Sequence, residues 1–249
     1  MKKITLASLL LLTGFLAFSQ KKKAKIDITQ DTAIYLQATR YGDPAVAINA
    51  LYNLIAKNPG EMAYKDSLAR LYFAIGSYPQ CLKVCEDIQK AKPNDTIMLR
   101  MMGVCHQTMG MHAAAIADFE KVAKLTGSAY DMYQKAALEF QVKRLQECKA
   151  SVEAVLKLAK PDDKVTLYID RDNKQDVALA AAAFNLYGMI AKEMGDTGSA
   201  RALFKEALKI QPDFYYPQAN IAAMDDTRTK KNQGEPNRNQ VPVMPDPRR

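Results

Sequence analysis

The side chains in this chain best suited to chemistry are four thiols, Cys81, Cys85, Cys105 and Cys148, and two imidazoles, His106 and His112. Cys81, Cys85, Cys105 and His106 could be read as zinc ligands. The spacing argues against it, because paired zinc ligands normally lie roughly two to four residues apart in a tight turn. Two histidines leave little room for a His-based metal cluster or a multi-histidine catalytic site. Neither has a nucleophile and an acid arranged near it in sequence, and no phosphate loop, dinucleotide fingerprint or zinc-protease motif occurs. The carboxylates are scattered at helix ends and solvent-facing positions, where they cap or solubilise. The expectation is a protein that is not an enzyme, with no catalytic residue, no metal, no cofactor and no small-molecule substrate.

The 249 residues carry 35 Lys plus Arg against 27 Asp plus Glu, a formal charge of +8. That basicity belongs to the ends. Residues 1–25 hold six Lys and no acid, and residues 227–249 hold six cations against Glu235 and Asp246. The stretch between is slightly acidic, so it has no basic face to neutralise phosphates, and no nucleic-acid partner is expected. At the N-terminus, Lys2 and Lys3 precede an apolar run from Ile4 to Phe18, with Ala17 and Ser19 as the small residues before a cleavage point at Gln20. This is the form of a signal peptide over 1–19. The run is short of the roughly 20 apolar residues a spanning helix needs. Export to the periplasm is therefore expected, the alternative being an uncleaved signal that anchors the chain in the inner membrane. A basic leader, 20–27, follows, whose contact with anionic headgroups would be weak. The tail, 227–249, rich in Pro and Asn and poor in apolar residues, reads as disordered.

The elements between the ends repeat. Pro59 and Pro93 are 34 residues apart, Gly127 stands another 34 on, and Pro161 a further 34. Gly42, Gly76 and Gly110 keep the same interval at a phase 17 residues earlier. A break at the middle and another at the end of each unit leave two short helices. Cys81, Val84, Cys85 and Ile88 form one apolar stripe, and Ala115, Ile116, Phe119 and Val122 another. A helix pair with so large an apolar face is stable only when the next pair stacks on it.

These units resemble the tetratricopeptide repeat. The match is best over 181–214, where Phe184, Gly188, Gly195, Asp196, Ala200, Phe204, Ala207 and Pro212 fall at the signature spacing. Gly76 and Pro93 in unit 62–95, and Gly103 and Gly110 in unit 96–129, fit as well. Unit 28–61 keeps Gly42, Ala47 and Pro59; unit 130–163 is degenerate, with no turn glycine and a residue missing near Arg144. The resemblance implies an all-α fold: a right-handed α-solenoid of about five tetratricopeptide-type helix pairs over 28–226, with a capping helix at 215–226. An insertion at 164–180 alternates Val165, Leu167 and Ile169 with polar residues and reads as an extended segment and a turn, with Asp176 opening the next helix.

The resemblance also implies a function. Family members bind partners on the concave face lined by the first helix of each pair. Carried over by position, that groove would hold Arg70, Phe73, Arg100, Val104, Gln134, Leu138, Asn185 and Met189. Arg70 and Arg100 would be its cationic points, or else be solvated or paired with Asp66. The carboxylate clamp of the heat-shock co-chaperones is not reproduced, since Asp66 opposes an anion and Val104 cannot donate. The expected protein is a scaffold or adaptor of the bacterial envelope that binds a peptide or helix segment; the alternative is an accessory subunit of an envelope or glycan-processing assembly. In this frame Cys81 and Cys148 replace the usual small Ala and Cys85 an aromatic, as apolar filler. A disulfide between Cys85 and Cys105, on helices that should pack together, is the sharper reading.

Overall fold

The computed structural model describes residues 27–230, with side chains as far as 226. The expected signal peptide, the leader as far as residue 26 and the tail beyond 230 lie outside the described residues. Among the described residues there are eleven α-helices and one two-stranded sheet, an all-α helical-repeat fold. The chain divides into two compact units, one ending at Gly60 and one beginning at Glu61.

The first unit is a single pair, α1 (Thr29–Tyr41) and α2 (Pro44–Lys57). Gly42 ends α1 with φ 68°, a left-handed conformation that a side chain would strain. Asp43 caps α2 by accepting from the Val46 amide, and Pro44 occupies the first turn, where a missing N–H costs nothing. Ala38, Ala47, Leu51 and Leu54 are buried in this unit. The ammonium of Lys57 lies 2.6 Å from Asp31 Oδ2, joining the end of α2 to the start of α1.

The second unit stacks four pairs in sequence: α3 (Met62–Ala74) with α4 (Tyr78–Ala91), α5 (Thr96–Thr108) with α6 (His112–Thr126), α7 (Ala129–Gln141) with α8 (Leu145–Leu158), and α9 (Leu179–Glu193) with α10 (Thr197–Ile210). A final helix, α11 (Tyr215–Lys230), packs on α10 through Phe214, Tyr216 and Met224, which cover an apolar face that would otherwise meet water. It runs four residues past 226. Where the other pairs turn on Gly76, Gly110 or Gly195, the α7–α8 turn places Lys143 at φ 61°.

That turn is not the place where a residue is missing. The α5–α6 and α7–α8 connections both hold three residues, 109–111 and 142–144. The shortening lies between α6 and α7, where Gly127 (φ 62°) and Ser128 do the work of the four residues 92–95 between α4 and α5. A left-handed glycine ends α6 abruptly and lets the chain reverse at once. From Thr96 to Ala129 the repeat is therefore 33 residues, and every position carried into α7 on a 34-residue interval is one residue out.

The insertion is a β-hairpin, β1 (Lys164–Tyr168) and β2 (Lys174–Ala178), paired antiparallel with Val165 opposite Val177. Val165, Leu167 and Val177 are buried in the same core as α7 to α11. Asp176 does not open the following helix. It sits on β2, where its carboxylate accepts from Thr166 Oγ1 at 2.6 Å, and α9 begins three residues later at Leu179. Pairing of Val177 with Val165 keeps the chain extended through this point. The outer edge of β2 is satisfied by one side chain: Gln211 Oε1 accepts from the Ala178 amide and Gln211 Nε2 donates to the Asp176 carbonyl. Gln175 bonds the Asp213 carbonyl and the Tyr215 amide in turn, so the hairpin is laced to the α10–α11 connection.

Candidate interaction face

In the second unit the first helices of successive pairs are α3, α5, α7 and α9. Small residues fix their phase: Gly103 and Gly188 each face the ring sixteen residues further on, in the second helix of the same pair, and the fully buried Ala69 and Ala136 stand at the place of Gly103 counted from the starts of α3, α5 and α7. A Cβ on Gly103 would stand 2.9 Å from the Phe119 ring, and one on Gly188 2.5 Å from the Phe204 ring. Counted from these crossings, Asp66, Arg100 and Asn185 are equivalent, as are Arg70, Val104 and Met189. Their partners in α7 are Tyr133 and Ala137. Gln134 and Leu138 are not, because of the 33-residue interval, and both are buried; Leu138 packs with Ile116 and Phe119.

The expected groove residues divide by exposure. Arg70 is exposed, and Phe73 and Val104 are half-buried. Phe73 is held edge-on to Tyr78, with ring centroids 6.0 Å apart. At the other end Asn185 and Met189 are 1% and 5% exposed. Asn220 of α11 donates to Asn185 Oδ1 at 3.3 Å, so the capping helix reaches the place where a ligand would lie. The open part of the face is the part formed by α3 and α5.

Arg100 is committed inside the fold. Its Nε and Nη2 each lie 2.7 Å from the carboxylate of Asp131, which is fully buried at the start of α7 and also accepts from Thr126 Oγ1. Asp66 is not its partner. Of the two expected groove arginines, Arg70 is thus the exposed one.

Two further polar clusters escaped the sequence reading. Lys135 lies 2.8 Å from Glu139 Oε1, and Ser151 Oγ donates to Glu139 Oε2 at 2.7 Å, all at the α7–α8 interface. His106 Nδ1 and Asp118 Oδ2 are 2.7 Å apart between α5 and α6, and burial raises the Asp118 carboxyl although His106 pulls it back. An i, i+4 Lys–Glu pair inside an otherwise apolar stripe was the signal for the first cluster. Nothing in sequence marked the second, which depends on how two helices cross.

All four cysteines are free and buried. Cys85 Sγ lies 3.9 Å from Cys81 Sγ and 3.8 Å from Met98 Sδ, so it has the contacts of core filler, and the disulfide to Cys105 is not formed. His106 faces Asp118 and not the thiols, and among the described residues no three His, Cys, Asp or Glu side chains come together as a metal site. The Cys81 thiol is pushed up to about 12 by its contact with Cys105 and by burial, and Cys148 to about 12 by burial and the nearby Glu139. Thiolate is the reactive form. Under native conditions at pH 8 an aromatic disulfide reagent should therefore label neither Cys81 nor Cys148 within minutes, whereas both should react at once in denaturant. Rapid labelling of either in the folded protein would contradict their placement.

Comparisons with known proteins agree with this architecture. Residues 181–214 match the tetratricopeptide repeat family. The crystal structure of YrrB, described as a TPR protein with an unusual peptide-binding site, has a TM-score of 0.61 at 13% identity, covering 80% of this chain and 94% of that one. A crystal structure of MamA protein gives 0.60 at 15% identity over 74% and 92%. A tetratricopeptide repeat protein from Parabacteroides merdae ATCC 43184 gives 0.61 at 13% over 84% and 80%. In sequence, the BBSome complex member bbs-4 of Caenorhabditis elegans is 24% identical over 168 residues, 57% of this chain. The chain spans about a third of the length of that curated relative, 36%.

Proposed function

We propose that this chain, whose residues 181–214 match the tetratricopeptide repeat family and whose fold is that of helical-repeat proteins, is a non-catalytic scaffold of the bacterial cell envelope that holds a peptide or helix segment of a partner protein against α3 and α5. Exposed Arg70 on α3, one turn from half-buried Phe73, with half-buried Val104 at the equivalent position of α5, is the observation that carries this reading. Phe73 and Val104 supply apolar anchors, and Arg70 sets the register of an acidic group on the ligand. The groove is short, because Asn185 and Met189 are already covered. A ligand of two or three turns of helix, or an extended stretch of similar length, suits it better than a long segment. Envelope location rests on the signal-like run at 4–18.

The test is affinity capture from bacterial envelope extract, with wild type compared against Arg70→Ala and Phe73→Ala. Each variant should recover its specific partner about tenfold less well, the usual effect of truncating an interface anchor by about 1.4 kcal/mol, with the helical circular dichroism unchanged. If both variants hold every partner as wild type does, the α3–α5 face is not the docking site. If the protein fractionates with the cytoplasm, the envelope assignment fails.

A further inference from the structure

We propose that Cys81, Cys85 and Met98 form a buried site for a soft monovalent metal ion, copper(I), where α4 packs on α5. Cys81 and Cys85 stand one turn apart on α4, and Met98 lies in the first turn of α5. Cys85 Sγ is 3.9 Å from Cys81 Sγ and 3.8 Å from Met98 Sδ. Three sulfurs in a plane around one ion, each about 2.3 Å from it, stand about 4 Å apart. Cys85 thus already holds, toward both neighbours, the separation that a shared ion requires. The contacts that fill this part of the core also bring three sulfur donors together.

The donor set selects the ion. Zinc takes four donors in a tetrahedron, and the imidazole nearest in sequence, His106, is turned to Asp118. Thiolate and thioether sulfurs are soft, polarisable donors and favour copper(I). Cys81, Cys85 and Cys105 are 0% exposed and Met98 1%, so water and hard oxygen ligands are kept out. Cys105 touches Cys81 and, keeping its own proton, donates to that sulfur once it is a thiolate. On binding, the Cys81 and Cys85 thiols release their two protons to solvent, and two sulfur–copper bonds form beside the thioether bond. Copper stays monovalent and nothing is oxidised. Loading waits on transient opening of the α4–α5 contact, so it is slow and agrees with thiols that resist reagents over minutes.

Anaerobic titration of the purified full chain with copper(I), in competition with the chelator bicinchoninate and left to equilibrate overnight, tests the site. The chain should withhold a single copper(I) from the chelator while its helical circular dichroism stays unchanged. Cys81→Ala and Cys85→Ala should each weaken binding at least about a hundredfold, more than the loss of a group that merely orients a ligand. Alanine is the residue this repeat usually has at position 81, so Cys81→Ala keeps the fold and decides the matter if Cys85→Ala does not. Met98→Leu, which nearly keeps the side-chain volume, should weaken binding about tenfold. Cys148→Ala should leave it unchanged. If no copper is withheld, or if Cys81→Ala binds as wild type does, the proposal is overturned. Equal losses in Cys148→Ala and Cys81→Ala, or uptake only once the helical signal is lost, would overturn it as well.

Discussion

Replacing Arg100 by alanine should destabilise residues 61–226 by about 3 kcal/mol, the cost of removing one partner from a buried ion pair. The reason lies with Asp131. Its side chain is fully buried, and both oxygens are engaged by the Arg100 fork at 2.7 Å. Without the guanidinium, the carboxylate keeps the Thr126 hydroxyl, 2.9 Å away, as its remaining side-chain partner. A single hydroxyl does not offset the desolvation of a full charge. Arg100 is itself partly exposed, which places the loss at the lower end of the range for buried pairs. The double variant Arg100→Leu/Asp131→Leu should recover most of the stability, because the charge that needed compensation has gone with its partner. Urea denaturation of the three proteins measures this. If Arg100→Ala unfolds at the wild-type midpoint, the pair contributes nothing and Arg100 returns to the candidates for ligand binding.

Gly188→Ala should cost about 2 kcal/mol, although alanine is the better helix former. The propensity gain is about 1 kcal/mol, and the new methyl would sit 2.5 and 2.6 Å from two carbons of the Phe204 ring, which is itself fully buried. Overpacking of a closed core costs roughly 1–3 kcal/mol and occasionally more, and contacts this short call for the upper end. Gly103→Ala is the control. There the nearest atom is at the rim of the Phe119 ring, 2.9 Å away, so a small tilt absorbs the methyl and propensity nearly balances the strain. Phe204→Leu combined with Gly188→Ala should lose less than the sum of the single changes, since the leucine vacates the space the methyl needs. Thermal unfolding of the five proteins separates these cases, and equal melting temperatures for Gly188→Ala and Gly103→Ala would show that the two crossings are equally forgiving.

Much of the fold was legible because helix pairs are punctuated locally. Glycine at a left-handed position and proline past a helix end act within a few residues, so Gly42, Gly76, Gly110 and Gly195 mark turns wherever they stand. The same logic failed at the α6–α7 connection. A two-residue link through Gly127 and a four-residue link through Pro93 both end a helix, and the sequence pattern pointed instead to a deletion near Arg144, in the α7–α8 turn. That single residue puts the groove positions of α7 at Tyr133 and Ala137, not at Gln134 and Leu138 as a 34-residue interval predicts.

The interaction face was legible in position but not in state. Arg100 and Arg70 are both arginines at expected groove positions, and nothing in either local sequence separates them. One is tied to a carboxylate 31 residues away and the other is exposed. Asn185 was likewise read as open, when a helix that begins thirty residues later closes over it.

Periodicity of short-range signals thus settled the secondary structure, the stacking of pairs and the small-against-large crossings, because each depends on residues within one turn or one unit. Which polar groups are spent on the fold and which remain for a partner was decided by contacts between units. Those contacts turn on ångström-scale register between helices far apart in the chain, and a one-residue change in a distant connection is enough to alter them.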